Sequence, residues 1–278
     1  YEPETDAQCR WLGHRLFAVD GSKINLPRSF LKLDYPLPST SANRPQGLLS
    51  CLYQLKSKIP FDFELTKHHD ERLASERHLL ALKEDDVVAY DRGYFSYAML
   101  HRHHSAGIHA VFRLQECGFT VIQDFFESEQ ENLTVTILPS PATQREIHKK
   151  HPNLEIIPIP LRLTKYKIEN SLFVLGTTLL DSKYTLQDFK DVYHQRWGIE
   201  ELYKVSKRVI DVEDFHAKTE RGVRQELFAH FVLITMSRIF ANYSDDQLNS
   251  RAVLPEKPSL SEKLQTNFKA CVLAFTRN

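Results

Sequence analysis

Two short apolar runs constrain this chain more than anything else in it. Leu16-Phe17-Ala18-Val19 runs into Asp20, and Val87-Val88-Ala89-Tyr90 runs into Asp91. Each reads as a short strand that delivers an aspartate at its carboxyl end. If the two strands are neighbours in one sheet, their carboxylates converge at its edge. Oxygen ligands placed there suit Mg²⁺ or Mn²⁺, which keep several waters and bind phosphate oxygens. Two such ions can activate a nucleophile and stabilise the leaving oxygen of a phosphodiester displacement. A strand-terminal Asp near a Gly (Gly21, Gly93) is also an ordinary turn former, so neither residue decides the matter alone.

The rest of the chain gives an order of elements around these anchors. Gly21 and Ser22 are expected to turn the chain, and Ile24 to Pro27 to resume an extended stretch. After a Pro-, Ser- and Asn-rich loop from Pro36 to Pro45, Leu48–Leu55 and Phe61–Leu65 read as strands joined by a Lys-Ser-Lys turn. His68-His69 reads as the turn before a helix over Asp70–Leu82, with Asp70 as N-cap and Leu73, Leu79, Leu80 and Leu82 as its apolar stripe. Tyr94–His104 is predicted helical and Ala110–Leu114 extended. From Cys117 to about Thr178, runs at Thr120–Ile122, Leu133–Leu138, Glu155–Ile159, Leu161–Leu163 and Ser171–Leu175 suggest a β-rich insertion. A long helix from Ser182 to about Arg208 and an apolar-rich helix over Glu226–Asn242 precede a polar stretch from Asp245 to Pro258. The expected organisation is a core split over 12–116 and 179–242, the insertion at 117–178, and a C-terminal tail at 243–278.

Composition excludes some classes. The chain has 278 residues, 42% hydrophobic and 26% charged, enough for a sizeable core of an ordinary soluble protein. No apolar run approaches the roughly 18–20 residues that cross a bilayer. The start at Tyr1-Glu2-Pro3 has no signal-peptide character, and the absence of an initiator Met fits a fragment. Cys9, Cys51, Cys117 and Cys271 form no CxxC pair and read as free thiols of a reducing cytoplasm. With 36 basic and 36 acidic residues the net charge is +0, which weighs against nucleic-acid binding but leaves room for a local basic groove.

The third chemical element is Tyr193, Arg196, Glu200 and Lys207. On one continuous helix, at about 100° per residue, they fall within a sector of roughly 60°. Such a stripe can bring a carboxylate to a metal while its neighbours hold phosphates. A solvated face with an Arg196–Glu200 ion pair explains the same spacing equally well. Trp197 can stack on a base, although packing is the commoner role.

The pattern Tyr-x2-Arg-x3-Glu-x6-Lys resembles the signature of the IS4 family of bacterial insertion-sequence transposases and fits Tyr193, Arg196, Glu200 and Lys207 without a gap. Ala18-Val19-Asp20-Gly21-Ser22 and Tyr90-Asp91-Arg92-Gly93-Tyr94 look like that family's segments around its first and second catalytic Asp. The resemblance runs from about Leu12 to Lys207. It implies an α/β, RNase H-like (retroviral integrase-type) core with a β-rich insertion between the second Asp and the Glu-bearing helix. It implies that Asp20, Asp91 and Glu200 hold two Mg²⁺ or Mn²⁺ ions, and that Tyr193, Arg196 and Lys207, with Trp197 beside them, contact DNA. The implied activity is hydrolysis and strand transfer at element ends. The implied partners are terminal inverted repeats, target DNA and a second copy in a synaptic homodimer, with no membrane; the implied location is the bacterial cytoplasm, at the nucleoid.

The alternatives are a metal-dependent nuclease of the same fold, or a decayed element that binds DNA without cutting. A phosphatase using Asp20 as nucleophile would want an Asp two residues on, where Ser22 stands. His101-Arg102-His103-His104 reads as an exposed helix end or a patch near DNA, since adjacent histidines on a helix point apart. Arg145, His148, Lys149, Lys150 and His151, with Arg162, Lys165 and Lys167, read as either a DNA-backbone surface or a solvated face.

Overall fold

A computed structural model describes residues 9–38, 44–116, 118–169, 171–251 and 265–276. The strands are β1 (Leu16–Asn25), β2 (Gln46–Gln54), β3 (Ile59–Thr66), β4 (Val87–Tyr90), β5 (His109–Arg113), β6 (Asn132–Ile137), β7 (Ile159–Ile168) and β8 (Ser171–Thr177). The helices are α1 (Glu71–His78), α2 (Tyr97–Ala106), α3 (Thr120–Glu127), α4 (Pro141–Lys150), α5 (Leu186–Gln195), α6 (Trp197–Arg208), α7 (Glu220–Arg251) and α8 (Phe268–Thr276). They fall into two compact units.

One unit comprises Arg10–Asp20 and Asp70–Trp197. Its strand order is β1-β4-β5-β8-β7-β6. The first three are parallel, in the registers Ala18↔Ala89 and Tyr90↔Phe112. Leu16 to Val19 and Val87 to Tyr90 are all fully buried, as continuous apolar runs in a parallel sheet should be. At the amino ends of β1 and β4 a buried ion pair fixes this register. Arg15 Nε donates to Asp86 Oδ1 at 2.7 Å, and Val87 N–H donates to the Arg15 carbonyl at 3.0 Å. Ser96 caps α2 by accepting from the Met99 N–H, and Gly107 (φ 63°) ends it in the left-handed conformation that glycine favours. Thr185 and Asp188 form a capping box at the start of α5.

Among the described residues, the other unit comprises Cys9, 21–69 and those from Gly198 onward. Here the order is β3-β2-β1, with β2 and β3 antiparallel from Leu48↔Thr66 to Gln54↔Ile59. α7 packs its buried face on β3, where Phe231 stacks on Phe63 with centroids 4.3 Å apart. α6 buries Ile199, Leu202 and Tyr203, and the Tyr203 hydroxyl donates to the Leu49 carbonyl at 2.9 Å.

Several expectations need correction. Gly21 and Ser22 do not turn the chain; β1 runs through them to Asn25, because Ile24 is fully buried. Leu80 is 88% exposed, and α1 stops at His78 in favour of a short 3-10 turn, so the leucine stripe does not hold that helix down. The 117–178 segment is not purely β. Thr120–Ile122 opens α3, whose buried positions Ile122 and Phe125 follow a helical spacing. α4 starts at a Ser140 N-cap with Pro141 in its first turn, and Glu155–Ile157 form no strand. β8 pairs directly with β5. α7 is 32 residues long and carries helix through Asp245 to Arg251, where a tail was expected. Residues 252–264, the rest of that tail, and Cys117 lie outside the described residues. Cys9, Cys51 and Cys271 are free thiols. No helix among the described residues is long and apolar enough to cross a membrane.

Candidate active site

The parallel register sets the geometry. Ala18 pairs with Ala89, so two residues further on Asp20 and Asp91 reach the same level on the same face of adjacent strands. The next parallel neighbour ends in the same way, since Tyr90 pairs with Phe112 and Asp91 is therefore level with Arg113. Three neighbouring carboxyl ends thus present Asp, Asp and Arg, which is where open α/β sheets place their ligands.

α5 covers this edge. The Tyr193 hydroxyl donates to Asp91 Oδ1 at 2.8 Å, and Arg113 Nη1 donates to the Tyr193 oxygen at 3.4 Å. Arg113 itself stands 3.8 Å from Asp91 Oδ1 and lies over the Phe173 ring at 4.5 Å. Arg196, buried at the end of α5, places Nη1 at 3.9 Å from Asp20 Oδ2 and its guanidinium 5.5 Å from the Tyr193 ring centroid. Burial raises the Asp91 pKa, but the Arg92 backbone N–H, the Tyr193 hydroxyl and the Arg196 and Arg113 charges outweigh it; the net position is below the usual value. Burial and the Asp91 charge push the Tyr193 phenol up, so it remains a proton donor.

Tyr94 completes this edge. Its side chain is buried, and its hydroxyl has no hydrogen-bond partner among the described residues. Burial, then the charge of Asp20, then that of Glu71, raise its pKa well above the ordinary phenol. The turn that carries it is closed by Tyr94 N–H donating to the Asp91 carbonyl at 3.1 Å and tied to α1 by Arg72 Nε donating to the Gly93 carbonyl at 2.6 Å.

The other predicted residues lie on α6. The helix expected over Ser182–Arg208 is divided at Arg196, so the single-stripe argument does not carry from Tyr193 to Lys207. Within α6, Glu200 and Lys207 are seven residues apart and share one flank. Glu200 is half-buried in the first turn. Lys207 Nζ donates to the Lys23 carbonyl at 2.6 Å and faces Glu213 at 3.9 Å. A Cβ at Gly198 would approach the Tyr53 ring to 3.2 Å, so a larger residue there requires the ring to give by a few tenths of an ångström. Trp197 is 56% exposed, which overturns the packing role and leaves its ring available for stacking.

Other candidates resolve differently. His103 is a core residue between the Ile108 carbonyl (3.1 Å) and the Tyr90 hydroxyl (3.0 Å), with its pKa lowered to about 4 by burial. His104 stays at the surface. Arg162 and Lys165 are buried structural cations. Arg162 donates to Asn132 and to the Asp181 and Tyr184 carbonyls, while Lys165 donates to the Phe125 and Ser128 carbonyls. Arg145, Lys149, Lys150 and Lys167 remain exposed.

Arg113 and Tyr94 escaped the sequence reading. Arg113 had a legible signal, an apolar run ending in a charge like the two aspartate strands. Tyr94 had none, because only the fold shows that its hydroxyl is buried without a partner.

Asp20 and Asp91 suit a hard divalent cation: both are oxygen donors, both remain partly accessible, and Asp91 is held ionised. Among the described residues no three His, Cys, Asp or Glu side chains are gathered closely enough to hold a metal by themselves.

With fold and edge defined, comparison with known proteins places the chain. Residues 11–236 match the family described as Transposase DDE domain, and the chain belongs to that family. It is a transposase domain of the DDE type. Its fold is similar to that in a cryo-EM structure of a piggyBac transposase synaptic complex with hairpin DNA, at a TM-score of 0.51 and 9% identity, over 93% of this chain. The chain spans 50% of the length of that protein. No curated protein matches.

Proposed function

We propose that this domain cuts and joins DNA at insertion-sequence ends, with Asp20, Asp91 and Glu200 holding divalent ions, Mg²⁺ or Mn²⁺, in an RNase H-like core of the IS4 type. The observation that carries the reading is the register that sets Asp20 and Asp91 level on adjacent parallel strands. When bound, the ions would activate the attacking oxygen and stabilise the leaving one. Tyr193 and Arg113 orient the Asp91 carboxylate and keep it charged. Arg196 stands 3.9 Å from Asp20 and brings a guanidinium suited to phosphate oxygens. Glu200 and Lys207, on one flank of α6, supply the third carboxylate and a second cation, and exposed Trp197 offers a stacking surface for a base. The DNA partner is supported by the family and by the DNA named with the piggyBac structure. Two copies acting as a homodimer are part of the same proposal.

The test is nicking of supercoiled plasmid by the full chain in Mn²⁺. The wild type is expected to nick, and Asp20→Asn, Asp91→Asn and Glu200→Gln to fall by at least about 10²-fold. Equal nicking by all four would overturn the assignment.

A further inference from the structure

Three residues past Asp91 stands a tyrosine whose hydroxyl the fold buries and then leaves unused. Tyr94 is 1% exposed, and its hydroxyl has no hydrogen-bond partner among the described residues. Other tyrosines of the same unit are treated differently. Tyr90 shares a hydrogen bond with His103 at 3.0 Å and Tyr184 with His14 at 2.7 Å. Tyr97 donates to the Ile157 carbonyl at 2.6 Å and Tyr193 to Asp91 at 2.8 Å. A buried O–H without an acceptor destabilises a fold, and phenylalanine fills the same space without that cost. An orphan of this kind points to an acceptor that arrives with a ligand.

The hydroxyl is held in place from two sides. The Tyr94 N–H donates to the Asp91 carbonyl at 3.1 Å, and Arg72 ties the preceding Gly93 carbonyl to α1. The Tyr94 ring packs on that of Tyr90 with centroids 5.5 Å apart, and Tyr90 in turn stacks on Phe112 at 5.0 Å. After burial, the Asp20 charge acts on this phenol most strongly, ahead of Glu71, and both keep its proton on. Glu71 is exposed at the start of α1, whereas Asp20 ends its apolar run at the sheet edge. Asp20 is therefore the acceptor of consequence.

Asp91 shows what such a donor does, since the Tyr193 hydroxyl already orients and charges its carboxylate. A carboxylate that holds a cation through one oxygen keeps lone pairs for a donor on the other, and that donor fixes its orientation. Asp20 is level with Asp91 on the neighbouring strand, so a second phenol gives the pair matching support.

We propose that Tyr94 is a positioning residue for Asp20, its hydroxyl donating to the Asp20 carboxylate when that carboxylate holds a divalent ion. This rests on the metal reading given above and adds to it a residue outside the Tyr-Arg-Glu-Lys pattern.

Calorimetric titration with Mn²⁺ and thermal denaturation of the full chain, wild type beside Tyr94→Phe, test this. Without the ion the variant should be no less stable than the wild type, because no described residue accepts from the hydroxyl. Its Mn²⁺ affinity should fall about tenfold or more, the loss expected when a ligating carboxylate is deprived of its supporting hydrogen bond. Mn²⁺ should also red-shift the tyrosine absorbance of the wild type as the phenol becomes a donor, and that part of the shift should vanish in the variant. A purely structural tyrosine would move neither the affinity nor the ion-dependent spectrum. Equal affinity in the two proteins overturns the proposal, and so does a variant that is less stable without the ion. A wild type that takes up no Mn²⁺ removes the metal reading and the inference with it; binding that Tyr94→Phe leaves unchanged removes the inference alone.

Discussion

The Tyr193 hydroxyl donates to Oδ1 of Asp91 at 2.8 Å, and the same hydroxyl accepts from Arg113. The first residue of the Tyr-Arg-Glu-Lys pattern therefore acts on the second strand-end aspartate within one unit, before any DNA is present. The carboxylate it supports is partly buried and would otherwise be drawn toward protonation.

Tyr193→Phe keeps the ring but removes this donor. The Asp91 pKa should rise, since its lowering depends on the hydroxyl after the Arg92 N–H. The folded pKa is depressed, so the associated stability is present above the ordinary carboxylate value and lost as pH falls through the folded one. The acid limb of Mn²⁺ binding should move to higher pH in the variant, and pH-dependent calorimetry reads it. Superimposable limbs would refute the coupling.

Tyr94→Phe separates stability from function. A buried hydroxyl without a partner costs about 1–3 kcal/mol, so its removal should leave thermal stability unchanged or raised. If the hydroxyl serves the Asp20 edge, plasmid nicking should fall by about tenfold or more in the same variant. A destabilised Tyr94→Phe would show that the hydroxyl has a structural partner instead.

The Arg15–Asp86 pair holds the register at the opposite end of the strands that carry Asp20 and Asp91. Asp86→Ala takes the carboxylate away from a buried guanidinium and should cost about 3–5 kcal/mol by urea denaturation. The double variant Arg15→Met/Asp86→Leu should recover much of that loss. A cost below about 1 kcal/mol for Asp86→Ala would mean that the register does not depend on the pair.

His103 gives a pH signature. Its pKa is lowered to about 4 in the fold from 6.5, so the unfolded chain takes up the proton first. Its contribution is full above 6.5 and is lost as pH falls from 6.5 toward 4, about 3 kcal/mol in all. The stability gap between wild type and His103→Gln should shrink by an amount of this order between neutral pH and the lower limit. A constant gap would exclude this titration.

The parallel strands were legible because a run such as Val87–Tyr90 is apolar at every position and ends in a charge. Gly21-Ser22 misled because the ladder and buried Ile24 carry the strand past residues that locally favour a turn. Thr120–Ile122 looked β-like over three residues, but the Ile122–Phe125 spacing buries one face of a helix. Arg162 and Lys165 read as a surface patch because charge gives no hint of burial; the carbonyls that receive them come from distant parts of the chain. Asp20 and Asp91 could be named from their strands, whereas Tyr94 and the divided α5–α6 helix depend on packing that no local pattern encodes.

The most direct test of the account is isothermal calorimetry of Mn²⁺ with the full chain and with Asp20→Asn, Asp91→Asn and Glu200→Gln. The account predicts saturable binding by the wild type, abolished by either Asp substitution and weakened by at least about tenfold in Glu200→Gln. Binding that survives loss of both Asp20 and Asp91 would contradict it.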